Sequence, residues 1–162
     1  MRPELTAASG GSPCGDRSAP AAPDWEAFWS RIERLPTEVC DGCTDCYLRC
    51  AGELQLTHHE FASVRRFLRE HGLMPLARTP SRGPLDPCRF LRSDHFCAIY
   101  PVRPVICRLF GLVEWLPCPK GHSVPCLQDG PALIQAYAEF PRATYAEWEQ
   151  RLATEEGAHA NY

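Results

Sequence analysis

Four cysteines within eleven residues constrain this chain more than any other feature: Cys40-Asp-Gly-Cys43-Thr-Asp-Cys46-Tyr-Leu-Arg-Cys50. Spacers this short let successive thiolates converge on one centre while the chain turns around it. Gly42 permits the tight turn, and the backbone N–H groups beside it are placed to bond to sulfur. Ten of the 162 residues are cysteine, a high share for a chain with no sign of secretion. Residues 1–23 hold no apolar run of the kind a signal peptide needs, and no later stretch is long and apolar enough to span a bilayer. The expected location is cytoplasmic, where thiols stay reduced and clustered cysteines bind metal or do redox chemistry more often than they form disulfides. A formal charge of −3 gives no electrostatic case for nucleic acid or an anionic membrane, and metal-bound thiolates make the chain more acidic still.

Around the cysteines the pattern is helical. Residues 1–23 are rich in Pro, Ala, Gly and Ser and read as a disordered tail, with Cys14 a bystander inside it. Asp24 caps a helix that places Trp25, Phe28, Trp29, Ile32 and Leu35 on one face, and Pro36 closes it. Thr57-His58-His59-Glu60 has the capping-box pattern and opens a second helix through Phe61, Val64 and Leu68, ended by Gly72. Four prolines make residues 74–87 a loop, and the stretch from Cys118 to Cys126 is rich in Pro and Gly. Leu133, Ile134, Tyr137 and Phe140 mark another helix, broken near Pro141, and a segment with Tyr145, Trp148 and Leu152 runs into a flexible tail over 153–162. The expected fold is mainly α: a small irregular helical domain over 24–152, packed around a cysteine-ligated metal centre, with long Pro/Gly-rich loops and little β.

The run itself has the C-x2-C-x2-C-x3-C spacing of bacterial ferredoxins, which favours an iron–sulfur cluster of the [4Fe–4S] kind. It departs from them in continuing into Ala51 and Gly52 rather than proline, and in occurring once. Zn2+ stays open, because a tetrahedral site can take one pair of thiolates from the run and another from Cys88, Cys97 or Cys107. Spacing alone does not settle the metal. Cys118-Pro-Lys-Gly-His122-Ser-Val-Pro-Cys126 is a further source of ligands, Cys118 ahead of His122 and Cys126. Walker A, G-x-G-x-x-G and H-E-x-x-H patterns are absent, and nothing singles out one thiol as a nucleophile with a histidine base. The sequence contains no complete catalytic constellation.

The second cysteine stretch carries a family resemblance. It contains Cys88-Arg89-Phe90-Leu91, then Cys97-Ala-Ile-Tyr-Pro-Val-Arg103-Pro104-Val-Ile-Cys107-Arg108. With Cys40/Cys43/Cys46 and Leu56-Thr57-His58-His59-Glu60 before it, the order resembles the YkgJ-like cysteine-cluster proteins, a zinc- or iron-chelating C-x2-C-x2-C-C family, over roughly residues 38–120. Tyr47 stands where that family has its fourth clustered cysteine. Either Cys50 takes the role, or the site has one ligand fewer, or it borrows another. If Leu48 and Arg49 continue an α-helical turn, Cys46 and Cys50 share one face at i and i+4.

The resemblance implies a metal set drawn from Cys40, Cys43, Cys46, Cys50, Cys88, Cys97, Cys107 and Cys118. Pro104 suits the first position of a short helix, which puts Cys107 in or near a first turn that favours a thiolate. Arg103 and Arg108 are placed to offset the charge of a bound cluster, and Phe90, Phe96, Tyr100 and Phe110 to keep it dry. Relatives fused to methylating enzymes imply a redox or accessory role beside a partner enzyme. Three readings follow: a module that stores, senses, delivers or is structured by its metal; an iron–sulfur protein acting with a protein partner; and an interaction domain whose metal replaces a larger core.

Overall fold

Local signals account for where the helices begin. The computed structural model describes residues 24–37, 40, 43, 45–50, 52–75, 87–121 and 126–159. Helix α1 (Trp25–Glu33) starts at Asp24, whose carboxylate accepts from the N–H groups of Glu26 and Ala27 at 3.1 and 3.2 Å. Phe28 and Ile32, one turn apart, are its buried face, whereas Trp25 at its outer end is 47 % exposed. Helix α2 (His58–Glu70) opens on the expected capping box and buries Phe61, Val64 and Leu68, with Gly72 following in the left-handed region at φ 61°. His58 and His59 lie exposed at its start.

The same device recurs near the C-terminus. Thr144 and Glu147 exchange backbone and side-chain hydrogen bonds of 2.7 and 3.2 Å at the start of α5 (Tyr145–His159). That helix continues through residues 153–159, where a tail is expected from the sequence. Each capping box follows a three-residue strand, β1 (Gln55–Thr57) and β2 (Arg142–Thr144), and the two pair antiparallel with Leu56 opposite Ala143. Between them come α3 (Val105–Arg108) and α4 (Gly130–Ala138). The fold of the described residues is mainly α, with this two-stranded ribbon as its sheet. Among them, no helix is long and apolar enough to cross a membrane.

Two apolar clusters result. One joins α1, α3 and α4 through Phe28, Ile32, Val105, Leu109, Leu133 and Tyr137. The other joins β1, α2, α5 and the 88–99 segment through Leu56, Phe61, Val64, Phe90, Ile99 and Tyr145, with Cys50 and Cys97 at its margin. Glu60 ties the two together. Its buried carboxylate completes the α2 capping box on Thr57 N–H at 2.7 Å, and also accepts from Val105 N–H at 2.8 Å and the Tyr137 hydroxyl at 3.0 Å. Pro104 consequently stands one position earlier than the sequence suggests. It is the extended residue before α3 (ψ 158°), and Val105, whose N–H Glu60 satisfies, opens the helix. Burial and the adjacent carboxylate raise the Tyr137 phenol above its ordinary range, so it remains a donor.

Candidate metal centre

Cysteines from three separate stretches line one pocket of about 190 Å3: Cys43, Cys46, Cys50, Cys88, Cys97 and Cys107. Each is delivered by a short, locally determined element. Cys46 belongs to a 3-10 turn, Asp45–Arg49, and Cys50 follows it directly. Three residues per turn, rather than 3.6, rotate positions four apart by about 120°, so Cys46 and Cys50 do not share the face an α-helix would give them. Cys88 docks on this segment through its N–H to the Cys50 carbonyl, 3.1 Å. A tight hairpin then returns the chain: Leu91 bridges to Cys97, Ala98 N–H bonds to Phe90 O at 2.7 Å, and His95 makes the reversal at φ 67°. Cys107 is the third residue of α3, the helix that Glu60 anchors. Phe90, Phe96, Tyr100 and Phe110 are all in the lining, the dry surround expected of them.

Cys40 and Cys118 lie outside this lining but close to it. The Tyr100 hydroxyl donates to the Cys40 carbonyl, and Cys43 N–H bonds to the same oxygen at 3.0 Å. Cys118 packs on Gly111, whose φ of 80° favours glycine; a Cβ there would stand 3.1 Å from that of Cys118, a tight contact that Cys118 would have to yield to. An ion pair of 3.2 Å between Lys120 and Asp45 ties the Cys118 loop to the 3-10 turn. Cys126 is half-buried and is not among the pocket residues. Cys14 and His122 lie outside the described residues.

Burial, with repulsion between neighbours, favours the protonated form of Cys46, Cys50, Cys88, Cys97 and Cys107. The Cys50 thiol is pushed up to about 12, first by burial and then by Cys88, Cys97 and Cys46, against the opposing charge of Arg103. Burial drives Cys107 well above the ordinary thiol value, with Cys88, Cys50 and Cys97 adding to it. Cys46 is raised by burial and by Cys40, Cys43 and Cys118, and burial likewise raises Cys88 and Cys97. None of these thiols is activated as a nucleophile. A bound cation reverses both costs, because coordination deprotonates a thiol outright.

The two arginines differ. Arg103 lines the pocket, stacks its guanidinium 3.7 Å from the Tyr100 ring centroid, and buries Nε without a hydrogen-bond partner. It is the cation that opposes the rise at Cys46, Cys50, Cys97 and Cys107. Arg108 is not in that lining. Its Nε donates to the Arg103 carbonyl at 2.7 Å and so braces the backbone that presents Arg103. Two further residues carry roles the sequence reading did not give them. Glu60 shows its capping signal in the sequence but not its reach to Val105. His95, between Cys88 and Cys97, lines the pocket and stacks parallel on Tyr47 at 4.2 Å, so the residue in the place of a fourth clustered cysteine forms a wall.

This donor set fits zinc or iron. Thiolates are the ligands both take, the walls are largely apolar, and the buried Arg103 Nε has no hydrogen-bond partner. Among the described residues no three Cys, His, Asp or Glu side chains already stand at metal-holding spacing.

A family model with the short name CxxCxxCC, described as "Putative zinc- or iron-chelating domain", matches residues 39–142, well over half of the chain. All nine cysteines of the described residues fall inside that span. No curated protein and no solved structure matches the chain. On the family match, and with its cysteines gathered at one pocket, the chain belongs to the CxxCxxCC family of zinc- or iron-chelating domains.

Proposed function

We propose that the protein holds zinc or iron on cysteine thiolates as a metal-handling or sensing module, with an iron–sulfur cluster the favoured form. The observation that carries this reading is the convergence of six cysteines from three stretches on one apolar pocket beside the half-buried Arg103, whose Nε is buried. Bound there, the metal supplies a positive centre that stabilises thiolates. The chain's own groups do the rest: the thiols release protons to solvent, Arg103 offsets the charge that accumulates, and Phe90 and Phe110 keep water out. A handling role is supported by the pocket's edge, where Phe96 is 51 % exposed, since a sealed structural site has no need of an apolar mouth.

Metal and acid-labile sulfide analysis of protein purified without oxygen tests the proposal. The expected result is zinc or iron bound to the wild-type chain and depleted in Cys107→Ser, with sulfide accompanying iron in the cluster form. A wild-type chain that arrives without metal and takes up neither Zn2+ nor Fe2+ overturns it.

A further inference from the structure

The cysteines fall into two groups, and the division cuts through the sequence run. Cys50 receives Cys88 on its own carbonyl. Cys88 and Cys97 flank one hairpin, and Cys107 faces the same pocket from α3. Cys46 is held in different company. Cys40 is hydrogen-bonded to Cys43 one turn upstream, and the Lys120–Asp45 ion pair draws the Cys118 loop to the turn that carries Cys46. Cys46 lies inside the 3-10 turn Asp45–Arg49 and Cys50 directly after it, so the two enter their common pocket from different positions of a tight turn.

Electrostatic neighbours divide the same way except at the boundary, where Cys46 also acts on Cys50. The thiols that repel a charge on Cys107 are Cys88, Cys50 and Cys97, whereas those that repel one on Cys46 are Cys40, Cys43 and Cys118. Arg103 lines the pocket and acts on members of both groups. Each group has four members, the number that a tetrahedral thiolate zinc site or a four-iron cluster takes.

We infer that the chain carries two four-thiolate metal sites, an inner one on Cys50, Cys88, Cys97 and Cys107 and an outer one on Cys40, Cys43, Cys46 and Cys118, with Arg103 shared between them. This rests on the chelation reading above and deepens it. At each site four thiols exchange their protons for one metal ion, with no change of oxidation state.

Zn2+ titration of the full, reduced, metal-free chain, read by native mass spectrometry, tests the inference. The expected endpoint is two Zn2+ per chain. Cys46→Ser and Cys50→Ser should each retain one. Alkylation of the zinc-loaded variants should then find Cys40, Cys43, Cys46 and Cys118 protected in Cys50→Ser, and Cys50, Cys88, Cys97 and Cys107 protected in Cys46→Ser. Saturation of the wild-type chain at one Zn2+ overturns the two-site inference while leaving chelation intact, and it requires no substituted protein. The same protected set in both variants also overturns it. Failure of the wild-type chain to bind Zn2+ or Fe2+ removes the chelation reading, and the inference with it.

Discussion

Replacing Glu60 with alanine tests whether one carboxylate joins the two apolar clusters or merely finishes a helix cap. The side chain is 5 % exposed and accepts from Thr57 N–H, the Thr57 hydroxyl, Val105 N–H and the Tyr137 hydroxyl at 2.7, 2.9, 2.8 and 3.0 Å. The Thr57 hydroxyl can rotate elsewhere and the Tyr137 hydroxyl also reaches the Gln55 carbonyl at 3.3 Å, but the Thr57 and Val105 N–H groups are fixed by the strand end and by α3. Each buried donor left without a partner costs about 1–3 kcal/mol, and water entering the vacated volume recovers part of that. A loss of roughly 2–5 kcal/mol follows from the two fixed donors, set against the ~5–15 kcal/mol of a typical domain. Urea unfolding of Glu60→Ala and wild type at matched metal loading measures it. Glu60→Gln sharpens the test. In a simple capping box glutamine substitutes well for glutamate, but here its NH2 group would meet donors, so it should not rescue more than a small part. A cost below about 1.5 kcal/mol for alanine, or near-complete rescue by glutamine, would show that Glu60 acts only as a cap.

Other perturbations follow from the pocket. Arg103→Met removes the cation facing the thiols and should weaken metal binding by roughly 10–100-fold in a chelator competition, the usual cost of losing an outer partner of a metal site; unchanged affinity would leave Arg103 without a role there. The metal-free chain should lose stability as pH rises: Cys50 stays protonated in the fold up to about 12 but ionises near ~8.5 when unfolded, so its contribution is complete below that lower value and lost toward the upper one. Cys46, Cys88, Cys97 and Cys107 shift in the same direction, and a higher urea midpoint at alkaline pH than at neutral pH would contradict the assignment. Stripping the metal should increase hydrogen exchange over residues 87–121 first, because binding free energy is folding free energy at such sites, ~10–16 kcal/mol in zinc-finger peptides; unchanged exchange in that segment would make the metal peripheral.

Features set by a few neighbouring residues were legible in the sequence. Asp24, the Thr57–Glu60 box and Gly72 act through hydrogen bonds or backbone angles within one turn, and the helices start and stop where those residues indicate. The convergence of Cys88, Cys97 and Cys107 with the run was also anticipated, since a small irregular chain gains little by scattering thiols. What escaped depends on partners far away in the chain. Gln55–Thr57 and Arg142–Thr144 are too short to show strand alternation, and only their pairing makes them strands. Val105 takes the helix start from Pro104 because a carboxylate 45 residues earlier meets its N–H. The segment between Cys46 and Cys50 takes 3-10 rather than α-helical geometry, a choice between neighbouring geometries that no residue in Tyr47-Leu48-Arg49 dictates.

The β1–β2 ribbon bears on where this protein can be cut. The matched family span ends at Arg142, the first residue of β2, yet Leu56 lies opposite Ala143 and the Trp148 indole donates to the Leu56 carbonyl at 2.8 Å. A fragment trimmed to the matched span would leave β1 without its mate and strip Tyr145 and Trp148 from Phe61 and Phe90. Those rings sit directly behind the hairpin that presents Cys88 and Cys97. The smallest autonomous piece therefore reaches at least to Leu152, whose side chain still packs on the same cluster. Motif boundaries and folding boundaries differ here by the length of one clasping helix.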